Sequence, residues 1–156
     1  MNEEKEKVKL RKKLYKDLPL AGISLNEFEK PSADYFTNLR RFCISIGVIS
    51  PGESRVAIVY ILDILLRAKA TNPNGLDSLQ ITKALYNLDV KIVYANILRD
   101  VRKLIGIGII ERRGNLFRIK ENLPLKELLE TFIRPYIIDR IIKRVLEYAD
   151  AIDKAT

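Results

Sequence analysis

The sequence predicts a mainly α protein with one small β-hairpin, an α+β chain, and three observations predict it. Long stretches repeat apolar residues at steps of three and four, the spacing that lines one face of a helix. A short stretch, Ile109 to Arg113 and Leu116 to Lys120, instead reads as two strands joined by Gly114-Asn115, a two-residue hairpin link. Between them stand clear breaks: Ser50-Pro51-Gly52, Thr71-Asn72-Pro73-Asn74-Gly75 and Glu121-Asn122-Leu123-Pro124. At 156 residues the chain is long enough for one domain with a core and an appended arm. Its 47% hydrophobic and 31% charged composition excludes disorder throughout.

Taken in order, residues 1–17 place EEKEK before KLRKKLYK with only Val8, Leu10, Leu14 and Tyr15 to bury. They read as a solvated helix or tail, or as a basic arm that lies along phosphates. Residues 18–31, with Pro19, Gly22, Ser24, Asn26 and Pro31, read as a linker. Ser32 is the expected N-cap of a helix whose stripe is Tyr35, Phe36, Leu39, Phe42, Cys43 and Ile46, ending near Gly47. The next helix, Glu53 to about Ala70, is so dense in apolar residues (Val56, Ile58, Val59, Ile61, Leu62, Leu65, Leu66) that it is expected to be the most buried element. Leu76-Asp77 offers a short strand. Asp77 or Ser78 then caps a helix from Leu79 to Tyr86 with Leu79, Thr82 and Leu85 at three-residue steps.

After the turn Asn87-Leu88-Asp89-Val90 comes the stretch around which the rest is organised, Lys91 to Lys120. Val93, Ile97, Val101 and Leu104 fall on one helical face, leaving Lys91, Tyr94, Asn96, Arg99, Arg102 and Lys103 on the other. Gly106 and Gly108 are expected to end that helix before the hairpin. Beyond Pro124, Leu125, Leu128, Leu129 and Phe132 form a stripe up to Pro135, expected to open a new helix at its first position. There Ile138, Ile141, Val145, Tyr148 and Ile152 recur at three-four steps, flanked by Ile142, Leu146 and Ala149, an a/d-like seam of limited length.

The order helix, short strand, helix, turn, helix, hairpin resembles the winged helix-turn-helix family. The resemblance covers about Glu53 to Lys120, less than half of the chain, and rests on the capped second helix, the amphipathic third helix, the close KLIGIGIIERRGNLFRIK and the basic hairpin. Gly108-Ile109-Ile110-Glu111-Arg112 is similar to the glycine, two aliphatics and polar pair by which such domains pass from recognition helix to wing. One departure is the turn, where Leu88-Asp89-Val90-Lys91 has no glycine, so the start of the third helix is left open by two or three residues. The implied organisation is a basic arm and linker over 1–31, a winged-helix domain with a preceding helix over 32–123, and a C-terminal helical dimerisation segment over 124–156.

Charge narrows the partner. Lys+Arg number 28 against 20 Asp+Glu, a net +8, and Lys91–Lys120 alone holds eight cations against Asp100 and Glu111. A local excess of this kind points to an anionic partner, most often nucleic acid. The resemblance then implies double-stranded DNA bound by a dimeric transcriptional regulator. Asn96 and Arg99 would meet adenine and guanine edges in the major groove. Arg102 and Lys103 would meet phosphates, and Arg112, Arg113 and Arg118 of the wing would lie along the backbone or the minor groove. The rival expectation is a winged-helix protein-interaction subunit of a transcription or replication assembly. For the last helix, a lid on the domain and a dimer interface through Ile138, Ile141, Ile142, Val145 and Tyr148 both fit. The resemblance favours the dimer, since small archaeal and bacterial winged-helix regulators often pair this way.

Other chemistry is missing from the residue list. With no His, one Cys and no cluster at metal-ligand spacing, zinc sites and catalytic triads are left out. Gly106-Ile107-Gly108 lacks the third glycine and the lysine of nucleotide loops. No enzyme, cofactor or small-molecule ligand is expected. Cys43 sits among Phe42, Ile44 and Ile46 and reads as a buried small hydrophobe in a reducing interior. No apolar run is long enough to span a bilayer and the N-terminus is too charged for a signal peptide, so a cytoplasmic protein with no membrane partner is expected. Abundant Ile, Lys and Glu with one Cys, one Met and one Gln matches the composition of heat-adapted proteins.

Overall fold

A computed structural model describes residues 1–14, 19–54 and 57–156, with residues 10–14 described by their backbone alone. The expectations for Tyr15, Val56 and the Leu10 and Leu14 side chains lie outside the described residues. The helices are α1 (Asn2–Leu14), α2 (Tyr35–Ser45), α3 (Ala57–Thr71), α4 (Ser78–Asn87) and α5 (Tyr94–Ile107), then α6 (Leu125–Leu128) and α7 (Asp139–Ala155). Strands β1 (Ile110–Arg113) and β2 (Leu116–Ile119) form a two-stranded antiparallel sheet. The protein is mainly helical with that one small sheet among the described residues.

The apolar density of α3 makes it the centre. Ile58, Val59, Ile61, Leu62, Ile64, Leu65 and Ala68 are all buried, and α2, α4, α5 and β2 pack around it. Glu53 stays outside the helix, in the preceding turn: its carboxylate accepts the Ser50 N–H at 3.0 Å and its carbonyl accepts Arg40 at 3.0 Å. One carboxylate is buried on α3. Asp63 accepts the Tyr35 hydroxyl at 2.7 Å and Arg67 Nε at 3.0 Å, clasping α2 to α3. Burial first, and then the Asp63 hydrogen bond, push the Tyr35 phenol up to about 12.

Asp34, rather than Ser32, caps α2, accepting the Thr37 N–H at 2.8 Å, while the Ser32 hydroxyl accepts the Asp34 N–H at 3.2 Å. Cys43 is fully buried and burial pushes its thiol up to about 12, so it packs as a small hydrophobe. The stretch from Ala21 to Pro31 is more than a linker. Ile23 and Phe28 pack against the core, and the Asn26 N–H reaches Ser45 O at 3.0 Å.

Helix α4 opens with a capping box, Asp77 accepting the Gln80 N–H at 2.8 Å and Gln80 accepting the Asp77 N–H at 2.8 Å. Its buried residues are Ile81 and Leu85, one turn apart; Leu79, expected in the stripe, is on the far side and 60% exposed. In the following turn Asp89 takes φ +56, the left-handed conformation for which a glycine is the usual choice, and Asp is among the few side chains that tolerate it. That turn runs on, so α5 begins at Tyr94 with Val93 as its cap; Val93 is 68% exposed instead of buried, and Lys91 precedes the helix.

Gly106 continues α5, which ends at Gly108 with φ +94. The hairpin pairs Ile110 with Ile119 and Arg113 with Leu116, and Gly114 supplies the positive φ of the tight turn at +65. Leu76 adds the expected short strand as a single bridge, with Leu76 N–H to Phe117 O at 2.9 Å and Phe117 N–H to Leu76 O at 2.8 Å.

Pro135 does not open a helix. From Leu125 the chain is helical without interruption to Ala155, and Leu129–Ile138 is wound as a π-helix with Pro135 inside it. The wider turn bonds i to i−5, as Asp139 N–H to Arg134 O shows, and so avoids the i−4 geometry that a proline ring obstructs. Leu128 and Ile133 are buried in the same core as α3, so this segment is anchored before α7 leaves it.

Candidate nucleic-acid interface

Helix α5 has two sharply different faces. Ile97, Val101 and Leu104 are buried, which at 3.6 residues per turn places Ala95, Arg99, Arg102 and Gly106 directly opposite, and all four are exposed. The outermost line of α5 is therefore two arginines framed by its two smallest side chains. Ala95 and Gly106 were not among the expected site residues, since small residues carry no chemistry in a sequence and gain meaning only from position. Arg99 lies 3.8 Å from Asp100, a loose contact between neighbours. Among the described residues, Arg102 and Lys103 meet no carboxylate.

The remaining expected residues split to either side of that line. Asn96 and Lys103, with Arg99 and Lys91, border a groove of about 640 Å³ whose floor is Val48, Ile49, Ile58 and Ile92. Asn96 is only half exposed. On the opposite flank the Tyr94 hydroxyl is 2.8 Å from the Ser78 hydroxyl, tying the start of α5 to the start of α4. Tyr94 remains 51% exposed while its hydroxyl is engaged in that contact.

The hairpin also divides its arginines. Arg112 and Arg113 are exposed, with Arg112 Nε donating to Gly114 O at 2.7 Å across the turn. Arg118, expected alongside them on the basic rim, is turned inward. Its Nε donates to Glu111 at 2.6 Å and its Nη1 to the Pro73 carbonyl at 3.2 Å, and its side chain is 16% exposed. The antiparallel register places Glu111 directly across from Arg118, which is why the pair forms. Asn122 Nδ2 donates to the same Pro73 carbonyl at 2.8 Å, and the Glu121 N–H reaches Glu111 at 3.2 Å. Together these contacts clasp the base of the hairpin to the loop before α4. Lys120 is likewise engaged, its ammonium 4.1 Å above the Phe132 ring. Six cations of this stretch remain outward: Lys91, Arg99, Arg102, Lys103, Arg112 and Arg113.

Glu111 makes the clasp sensitive to acid. Burial would raise its carboxyl, but hydrogen bonds from Arg118 and the Glu121 N–H, with the charges of Arg118 and Arg113, outweigh burial and hold it below the ordinary 4.5. A carboxyl lowered by folding adds stability above its unfolded value, and that stability is lost as pH falls through the folded value. Glu111→Gln is therefore expected to lower stability at neutral pH, with the deficit against wild type shrinking as pH drops below 4.5. Urea midpoints at pH 7 and pH 3 measure it; a deficit of equal size at both would show that the charge of Glu111 does not matter.

Of the residues expected at an interface between copies, Ile138 and Ile141 are half-buried, whereas Ile142, Val145 and Tyr148 are exposed on α7. Among the described residues no cluster of His, Cys, Asp and Glu is placed to hold a metal ion, and no helix is long and apolar enough to cross a membrane. In comparison with known proteins, no family model matches the sequence, and no curated protein and no solved structure matches it.

Proposed function

We propose that the protein binds double-stranded DNA as a winged helix-turn-helix regulator, with the outer face of α5 in the major groove and the hairpin along the backbone. The observation that carries this reading is the line Ala95, Arg99, Arg102, Gly106. Its small residues permit close approach to base edges, and its two guanidiniums supply the bidentate donors that guanine accepts. The order of α3, the Leu76 bridge, α4, α5 and the hairpin supports it, as do the capped start of α4 and the inward Glu111–Arg118 clasp that stiffens the hairpin. Arg112 and Arg113 serve as phosphate contacts. Arg118 serves to position them.

A docking module within a larger assembly is the second reading, favoured by the exposed Leu79, Tyr86 and Val93 around the α4–α5 turn. Salt separates the two, because contacts to several phosphates weaken steeply with ionic strength and apolar docking does not. Titration of a random duplex at several salt concentrations is expected to give a steep log–log slope. Arg112→Ala with Arg113→Ala is expected to flatten that slope by up to about two units, roughly 0.9 per lost phosphate contact, and to weaken all duplexes alike. An unaltered slope would place the hairpin away from DNA.

A further inference from the structure

The groove of about 640 Å³ beside α5 is built from the core outward. Its floor comes from three separate stretches: Val48 and Ile49 after α2, Ile58 of α3, and Ile92 in the turn before α5. Val48, Ile49 and Ile58 are at most 3% exposed and belong to the core, so the floor is preformed and aliphatic. The rim is polar. Asn96, Arg99, Asp100 and Lys103 follow one another at steps of three, one and three, a single line along α5, and Lys91 and Glu53 border the groove from outside that helix.

Charge and size say what fits. Among the described residues the rim holds three cations and two carboxylates, a net of one positive charge, which suits a monoanion. Both carboxylates are engaged: Glu53 accepts the Ser50 N–H at 3.0 Å, and Asp100 lies 3.8 Å from Arg99. Lys91 and Lys103 meet no carboxylate among the described residues, and the half-buried Asn96 amide makes no hydrogen bond to another of them. An aliphatic floor with a few polar groups at its edge, in a volume within roughly 300–1,000 Å³, is the make-up of a small-molecule site. No aromatic ring lines it among the described residues, so nothing there would stack a base. We propose that this groove binds a small carboxylic acid with an apolar body, the body on Val48, Ile49, Ile58 and Ile92 and the carboxylate at Lys91 and Lys103, and that the bound acid competes with DNA. The competition rests on the function proposed above. Lys91, Arg99 and Lys103 would serve both ligands, so a filled groove withdraws them from the duplex, and by reciprocity the duplex weakens the acid by the same factor.

Hydrocinnamate and octanoate are the probes. Calorimetric titration of the full chain is expected to show saturable binding of one or both, with acetate, which has the charge without the body, weaker by ~100-fold or more. The matching amides, which have the body without the charge, should be weaker by about 5-fold. Lys91→Gln with Lys103→Gln, both exposed positions, should weaken the acid by about 5-fold and leave the amide unchanged. Lys126→Gln with Lys143→Gln, an equal loss of charge at exposed positions elsewhere, should leave both unchanged. Saturating acid should weaken binding of a duplex by about 5-fold or more, which acetate at equal concentration should not. No saturable binding of either probe, or binding indifferent to Lys91 and Lys103, overturns the site. Unchanged duplex affinity overturns the competition. A chain that binds no duplex overturns the function proposed above instead, and the calorimetry still decides the groove.

Discussion

Alanine at Gly75 is expected to lower stability by about 3 kcal/mol, a large share of what a domain of this size has to lose. Gly75 has φ +104, and a Cβ there would lie 2.5 Å from the Phe117 carbonyl oxygen and 2.9 Å from its carbon. The neighbour is backbone held in the Leu76–Phe117 bridge, so it cannot swing aside as a side chain would. Gly52 is the control. Its φ is +77 but nothing lies within 4 Å, so alanine there meets only the backbone strain, about 1 kcal/mol. Urea denaturation of both variants measures the difference, and a loss at Gly75 no greater than at Gly52 would mean the bridge yields freely. The effect should extend to the proposed interface, because the same loop holds the Pro73 carbonyl that receives Arg118.

Arg99→Ala and Arg102→Ala are each expected to cost about 1–3 kcal/mol on a preferred duplex and much less on random DNA, since base-edge contacts discriminate and phosphate contacts do not. Spacing alone favoured Asn96 and Arg99 as readers, with Arg102 on the backbone. Under the proposed reading we favour Arg102 over Asn96 as a reader, because Asn96 borders the groove and is half-buried whereas Arg102 is exposed on the outer line of α5. Asn96→Ala should accordingly cost the least of the three. Competition binding with a selected and a scrambled duplex tests the order, and equal losses on both duplexes would reduce the two arginines to backbone contacts.

What was legible in the sequence was local. The density of α3, the Asp77 cap, the Gly114-Asn115 link and the buried Cys43 follow from neighbours within a few residues, where spacing and turn chemistry suffice. What was not legible depends on which distant surface each side chain meets. Leu79 looks as apolar as Ile81, and only the placement of α3 decides which is buried. Arg118 looks as basic as Arg113, and only strand register decides which finds Glu111. Asp89 could stand in for the missing glycine because one residue with a tolerable left-handed conformation ends the helix as well, and this delayed α5 to Tyr94.

The π-wound stretch around Pro135 has a mechanical consequence. Had the proline ended one helix and begun another, the two would meet at a pivot. Because winding continues through it, the buried Leu128 and Ile133 and the free end of α7 belong to one stiff lever. The azimuth of the aliphatic stripe of α7 is then geared to the core, so its heading is decided by residue count and not by chance encounter, each residue added in the α-wound part turning it by about 100° and advancing it by about 1.5 Å. Lengthening the lever by a single residue would turn the stripe to a new bearing while leaving every side chain in it unchanged.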